Sequence, residues 1–508
     1  MSASRIPTEP LPVTDHAARG HRSTLLSQGI RLLCKATSVV VIARLVSPSD
    51  HGLYAMAASV TLLLWMFRDL GLGVAVVQAD KLDEGLCTAL LWIQIAIGFA
   101  LALGSLAAAP LAAAFYHEPA LLPLLAAMSV SFVFIGVGGL PRAFLMRELR
   151  FHELNRIDTI SAVVATAAMI ASASFGAGRY AFVVFLLISE FISGVLPWRY
   201  HRWRPKASPR AEGLLQLVRV GLHLTHFYAL NFLSKQIETF AVGRFFGAQP
   251  LGLYNRAGQM LNLPLQHAAE PLTQVTLGAL ARSTTDIRKF NDYAIIGAKI
   301  VAHLTLPVSA LAIAVPELIT QLVLGPQWID AAPLLRWFGV SAALNQTTLI
   351  AQAVAIAAGH SRRLAVLASA TLPILIAAIL LGARWGAIGV AVAIALANAT
   401  LAWPRLWWRL RGTSLPVRRY LSALQWPLVT AAALAAGACA GQRLARDQNV
   451  TWQIVATLAA ALIVPIAAGV SIPPLRRELR AIRDYLVDSR RATKPPTSTA
   501  ARNDARSR

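Results

Sequence analysis

Ten of the 47 Lys and Arg residues in this 508-residue chain fall inside apolar segments, not counting Arg362 and Arg363 at the edge of one. They are Arg31, Lys35, Arg44, Arg68, Arg219, Lys235, Arg244, Arg256, Lys299 and Arg336. A cation at the centre of a membrane helix costs about 2.5–3.5 kcal/mol on insertion scales, so it is retained where it faces protein or water and marks a path. The chemistry open to such residues is electrostatic: they hold an anion.

Their spacing sharpens this. At 100° per residue, Ser27, Gln28, Arg31, Lys35 and Ser38 share one stripe of a helix whose opposite face is Leu, Val and Ile. Farther along, Arg219, His223, His226, Asn231, Lys235 and Glu238 occupy one half of a second helix. Arg31, Lys35, Lys235, Arg256, Lys299 and Arg336 are the candidate cargo-binding residues. Arg31 lies about 9 Å into its span and is also within snorkelling reach of the interface, whereas Lys35 lies about 15 Å in. Glu238 and Glu270 suit either ion pairs with these cations or a coupling role with H+ or Na+. His223 and His226, at i and i+3, suit a structural role or proton coupling. No carboxylate lies at ligand spacing to the two histidines, so no metal site is expected.

The elements that carry these residues are helices. The chain is 56% hydrophobic and only 14% charged, against about 25% charged in soluble proteins. Its apolar runs are long and do not alternate, which favours helices over barrel strands. Fourteen spans are expected: 25–46, 53–77, 86–114, 119–141, 157–177, 180–198, 214–246, 251–281, 292–315, 331–358, 361–383, 386–404, 421–441 and 451–472. Placing the N-terminus in the cytoplasm leaves only Arg179, Arg384, Arg443 and Arg446 in the outward loops. The opposite side, counting both tails and span edges, holds 33 Lys and Arg, concentrated around Trp198–Arg210 and Arg405–Arg419. This imbalance puts both termini in the cytoplasm. It also accounts for the net charge of +23 through topology and anionic lipid rather than nucleic acid.

The chain repeats itself. Arg44, Gly52, Leu53, Tyr54 and Ala57 recur as Arg244, Gly252, Leu253, Tyr254 and Ala257, an offset of 200. The same register matches Lys35 with Lys235. Spans 1 and 7 have the same expected orientation, so the repeat is a parallel one of six spans, followed by two more. Such repeats place a transport site between related bundles. Pro48 and Ser49 are read as the end of the first helix, and Gly52 as the residue that permits a tight turn before the next. Arg44 and Arg244 suit helix-end anchors as well as function. The expected divisions are a cytoplasmic segment 1–24, a first lobe 25–213, a second lobe 214–410, two added spans in 411–472, and a basic tail 473–508. The tail is read as disordered beyond about Arg490, with a short surface helix near Arg476–Arg483.

Cys34, Cys87 and Cys439 are too scattered for a disulfide framework. No GxxxxGK[ST], HExxH or DxD stands in the chain. No catalytic residue and no resident cofactor is therefore expected, beyond H+ or Na+ as a coupling ion.

The stretch RLVSPSDHGLYAMAASVTLLLWMFRDLGLGVAVVQ, the run PRAFLMRELRFHELNRID and the later GLYNRAGQML resemble bacterial lipid-linked oligosaccharide flippases. These form the polysaccharide transporter family of the multidrug/oligosaccharidyl-lipid/polysaccharide superfamily. The resemblance implies two six-helix lobes around a V-shaped cavity plus two flanking helices. It implies transfer of an undecaprenyl-pyrophosphate-linked repeat unit across the bacterial inner membrane, for exopolysaccharide, capsule or O-antigen. Membrane lipids, a polysaccharide polymerase and export machinery are the expected partners, and nucleic acid is not. A cation-coupled multidrug exporter of the same superfamily is the main alternative, disfavoured because a cationic interior repels cationic drugs. A scaffold or enzyme of envelope assembly is the other.

Overall fold

The computed structural model describes residues 13–68, 72–78, 82–201, 203–205, 236–445, 447–476 and 478. Every regular element among them is helical. Nine helical stretches among the described residues are long and apolar enough to cross a membrane. Their outer faces carry large apolar side chains, as on Phe99, Leu103 and Leu111, and on Leu380, Leu381 and Leu396. Apolar faces of this extent need lipid rather than water against them. The protein is an all-α, multi-pass membrane protein.

Thirteen of the expected spans have a helix at their place: α1 (Val13–Leu45), α2 (Pro48–Trp65) followed by the short α3 (Leu72–Gln78), α4 (Glu84–Tyr116), α5 (Leu121–Arg147), α6 (Phe151–Ser174), α7 (Tyr180–Val195) with the single turn α8 (Pro197–Tyr200), α10 (Ala248–Arg282), α11 (Ile287–Ala314), α13 (Ala332–Gln346) with α14 (Leu349–Ala357), α15 (Ser361–Gly382), α16 (Gly386–Leu410), α17 (Val417–Leu444) and α18 (Val450–Ser471). Of the expected seventh span only 236–246, here α9, is described, and it is helical. The short α12 (Pro316–Val323) lies between α11 and α13. Two spans read as continuous are broken. The second, expected over 53–77, ends at Trp65 and resumes at Leu72. The tenth, expected over 331–358, stops at Gln346 and restarts at Leu349.

The chain clusters into two compact units. The first holds the residues up to Asn255 together with Val323–Trp328, and the second holds Arg256–Leu322 and the chain from Ile329 on. In the first unit α4 packs on α5, α5 on α7, and α6 on both α1 and α7. Small residues make these approaches possible. A Cβ on Gly98 would stand 2.6 Å from the Phe132 carbonyl oxygen, and one on Gly136 would stand 2.6 Å from that of Gln94. Lipid gives little hydrophobic drive between helices, so such close backbone contact is a main source of their association. Gly136→Val is expected to lower the yield of monodisperse protein and its melting temperature by forcing α4 and α5 apart, a cost of about 1–3 kcal/mol. Size-exclusion profiles in detergent check this, and an unaltered profile and melting point would refute it. In the second unit α11 packs on α13 and α17, α17 on α18, and α16 on α13 and α15.

The α1–α2 junction corrects the sequence reading. Helix α1 ends at Leu45, so Pro48 and Ser49 do not terminate it but open α2. Ser47 caps α2 by accepting from the Asp50 amide at 3.1 Å, and Pro48 fills the first turn, where its missing N–H costs nothing. Gly52 lies inside α2 and has no left-handed backbone, so it is not the turn residue.

Candidate functional site

The residues singled out by type and spacing fall into separate places. In the first unit, α1 and α5 both approach α6. Asp158, two turns into α6, is held by two arginines from different helices. Its Oδ1 accepts from Arg142 at 2.7 Å and its Oδ2 from Arg31 at 3.2 Å. All three side chains are about 30% exposed, between 27% and 34%. The cluster is therefore neither sealed nor fully solvated.

Further charge surrounds it. Glu190 on α7 lies within electrostatic range of Arg68 and Arg142. The Arg68 guanidinium covers the Trp65 ring at 3.9 Å. Lys35, one turn beyond Arg31 on α1, is exposed and makes no hydrogen bond or ion pair among the described residues. Four cations, Arg31, Lys35, Arg68 and Arg142, thus stand against two carboxylates, Asp158 and Glu190. An excess of cations on helices this apolar favours an anionic ligand.

At the α5–α6 turn, Arg150 is anchored by Glu153 at 2.6 Å and by Glu148 at 2.9 Å. The Glu153 hydrogen bond, with Glu148 behind it, holds the Arg150 guanidinium above its ordinary range. Trp198, on the single turn after α7, donates from Nε1 to the Val137 carbonyl at 3.0 Å and ties this corner to α5.

The repeat residues meet one another. The α2 helix begins at Pro48 and α10 at Ala248, which is the offset of 200 read from the sequence. A Cβ on Gly52 would land on the carbonyl oxygen of Ala248, and one on Gly252 on the carbonyl oxygen of Pro48. The two starts therefore cross reciprocally, each glycine admitting the other repeat's backbone. Tyr54 stacks on Phe182 at 4.6 Å, while Tyr254 is buried and donates its hydroxyl to Glu238 at 2.7 Å. Arg244 donates to Nδ1 of His117 at 3.1 Å and covers the Phe115 ring at 5.8 Å. Arg44 is exposed in the last turn of α1.

The remaining candidates lie in the second unit. Lys299 is paired with Glu478 at 2.6 Å, with Glu478 almost fully buried. Arg336 is exposed and paired with Glu317 at 3.0 Å. Arg256 is 2% exposed and donates to Gln259 at 3.2 Å. Glu270 is exposed, with no ion pair among the described residues. Arg219, His223, His226, Asn231 and Lys235 lie outside the described residues, as does the tail beyond Glu478. No group of His, Cys, Asp or Glu suited to a metal ion occurs among the described residues.

Sequence reasoning missed the partners rather than the cations. Asp158 and Arg142 enter the sequence reading only within the run PRAFLMRELRFHELNRID, with nothing to join either to Arg31. Glu478 was read as part of a surface helix, and nothing tied Tyr254 to Glu238.

Known proteins share this architecture and parts of this sequence. Residues 41–333, more than half of the chain, match the family described as polysaccharide biosynthesis protein. The teichuronic acid biosynthesis protein TuaB of Bacillus subtilis is 22% identical over 326 residues, covering 64% of this chain and 68% of that protein. The lipopolysaccharide biosynthesis protein WzxC of Escherichia coli is 23% identical over 302 residues, covering 59% of this chain and 61% of that protein. Among solved structures, the lipid II flippase MurJ in an inward closed conformation aligns with 88% of this chain and 99% of its own, with a TM-score of 0.69 at 15% identity. An inward-facing multidrug resistance transporter of the MATE family aligns with a TM-score of 0.56 at 16% identity, covering 79% of this chain and 99% of its own. By the extent of the family match, with the helical fold beneath it, the chain belongs to the polysaccharide biosynthesis protein family.

Proposed function

We propose that this protein flips a lipid-linked oligosaccharide, an undecaprenyl-pyrophosphate-linked repeat unit, across the bacterial inner membrane by alternating access. The product feeds a polymerase and export machinery that build exopolysaccharide, capsule or O-antigen. The termini lie in the cytoplasm, on the side where loop charge accumulates. The observation that carries this reading is the cation excess around Asp158, with Lys35, one turn from Arg31, unpaired among the described residues. The family membership and the names of the relatives support it.

No covalent bond changes in such a step, so the work of the residues is electrostatic. Pyrophosphate brings charge to Lys35 and competes with Asp158 for Arg31 and Arg142. Release restores the internal pairs. This exchange keeps the cations from being left bare in either state. Glu238, with Tyr254 donating to it, is the candidate for coupling to a proton or sodium gradient. Glu270, His223 and His226 are secondary candidates.

The test is flipping of an undecaprenyl-pyrophosphate-linked oligosaccharide in proteoliposomes. Lys35→Ala is expected to slow transfer at least about tenfold, the equivalent of about 1.4 kcal/mol, with Lys35→Arg retaining most of the rate. Parental transfer by the alanine variant would remove Lys35 from the path. Efflux of a cationic drug without transfer of the lipid would favour the exporter reading instead.

A further inference from the structure

Two arginines of the second unit have no role in the reading above. Arg405 and Arg409 are one turn apart on α16 and so leave the same face of the helix. Arg405 donates to Oδ1 of Asn398 at 2.8 Å, and buried Asn398 donates from Nδ2 to Ser341 at 2.6 Å. Arg409 donates from Nη1 to the Thr348 carbonyl at 3.0 Å. That carbonyl also accepts from the Gln352 amide at 3.2 Å and stands at the break of the tenth span between Gln346 and Leu349. The neighbouring Thr347 carbonyl accepts from the Tyr420 hydroxyl at 2.8 Å. The helix break and the Asn398–Ser341 pair thus hold both guanidiniums in place.

Neither guanidinium pairs with a carboxylate among the described residues. Arg31, Arg142, Arg150, Arg179, Arg336 and Arg419 each do. The carboxylates at this end of the unit are engaged elsewhere. Asn291 donates to the Ser414 carbonyl at 3.2 Å, which brings the start of α11 to the loop after α16. There Asp292 is taken by Arg419 at 2.9 Å, and Asp286 caps α11 while facing Lys289 at 3.4 Å. Arg363, which donates to the Arg411 carbonyl at 2.7 Å, adds further positive charge. The Nε of Arg409 is buried and has no acceptor among the described residues. Both arginines are half-buried rather than sealed, so an anion of modest size reaches them.

We propose that Arg405 and Arg409 form a second anion site, built for a phosphate group. Two guanidinium forks on one helix face match the tetrahedral oxygens of a phosphate better than they match a point charge. The phosphate belongs either to an anionic lipid headgroup or to a soluble or cargo pyrophosphate. Trp403 and Trp407, on the same helix, are 57% and 42% exposed. Exposed tryptophans of this kind mark the interfacial level, where headgroup phosphates lie.

The experiment uses the full chain in nanodiscs and reads the melting temperature. Phosphatidylcholine discs give the baseline, phosphatidylglycerol added to them is one probe, and sodium pyrophosphate in the buffer is the other. Parent protein is expected to gain about 3 °C from the phosphate probe it binds. Arg405→Gln is expected to lose that gain while keeping its baseline, because the Arg409–Thr348 contact survives. Arg405→Lys is expected to keep part of it, and Arg419→Gln, already paired with Asp292, all of it. A gain from phosphatidylglycerol alone assigns the site to the lipid headgroup, and a gain from pyrophosphate alone assigns it to the soluble group. No gain in the parent from either probe overturns the site, as does an equal gain in the parent and in Arg405→Gln.

Discussion

Gly52→Ala and Gly252→Ala are each expected to abolish most surface polysaccharide, although alanine is the smallest side chain that can be added. In either case the new Cβ would coincide with a backbone carbonyl oxygen of the other repeat, at Ala248 or Pro48. A backbone oxygen cannot rotate away as a side chain can. The starts of α2 and α10 would have to part by roughly 1 Å, which costs about 1–3 kcal/mol when a packed contact is overfilled. The same substitution made elsewhere is its own control. Gly29, Gly104 and Gly278 are helical and meet nothing within 4 Å, so alanine there is expected to be neutral or to stabilise by about 0.5–1 kcal/mol. The double variant Gly52→Ala/Gly252→Ala is expected to be less harmful than the sum of the two, because both glycines serve one crossing. The readouts are surface polysaccharide in a strain lacking the parent gene, membrane abundance, and melting temperature in detergent. Parental values for Gly52→Ala on all three would show that the crossing is not needed.

This crossing also shows what was legible in the sequence. The offset of 200 was visible as recurring letters, and so was the pairing of Gly52 with Gly252. Their physical role was not. A glycine after Pro48 and Ser49 reads as a turn, because local preference is all that a linear pattern gives. The close approach involves Ala248, nearly two hundred residues away, and no local preference encodes it. The helices were legible because membrane spans must be long, apolar and internally hydrogen-bonded. The breaks after Trp65 and Gln346 were not, although Arg68, Asp69 and Gly71 follow the first and Asn345, Thr347 and Thr348 flank the second, because the apolar runs on either side add up to the length of one span.

The site divides in the same way. A cation in an apolar run is visible by contrast, so Arg31 and Lys35 stood out. The carboxylate that holds Arg31 lies 127 residues away on α6. Lys299 and Arg336 were conspicuous for the same reason as Lys35, yet each is paired, with Glu478 and Glu317. Arg405 and Arg409 were passed over because they sit where topology charges belong. Their lack of a carboxylate partner among the described residues emerges only once the helices are packed. Type and position thus identify charges, while packing decides which of them are spent.

Asp158→Asn is expected to bind cargo more tightly and to move it more slowly. The aspartate gives each of its two oxygens to a different arginine, 2.7 Å from Arg142 and 3.2 Å from Arg31. An asparagine keeps the shape but removes the charge and offers only one acceptor oxygen. One arginine loses its partner, and both lose the anion between them. Because the three side chains are about 30% exposed, the stability cost is set between that of surface and buried pairs, about 1–2 kcal/mol. The larger effect falls on transport. A pyrophosphate no longer competes with an internal carboxylate for Arg31 and Arg142, so its affinity rises. The group that reclaims the arginines on release has also gone, so turnover falls. Greater affinity with lower turnover separates this role from simple damage, which weakens both. Binding of an undecaprenyl-pyrophosphate-linked oligosaccharide and its rate of flipping in proteoliposomes give the two numbers, and Asp158→Glu is expected to restore both toward the parent. Salt adds a third check: the variant's tighter binding, resting on bare cations, is expected to weaken more steeply with ionic strength than the parent's. Weaker binding together with slower transfer would make Asp158 a structural brace between α1, α5 and α6, and would leave Lys35 to carry the pyrophosphate without it.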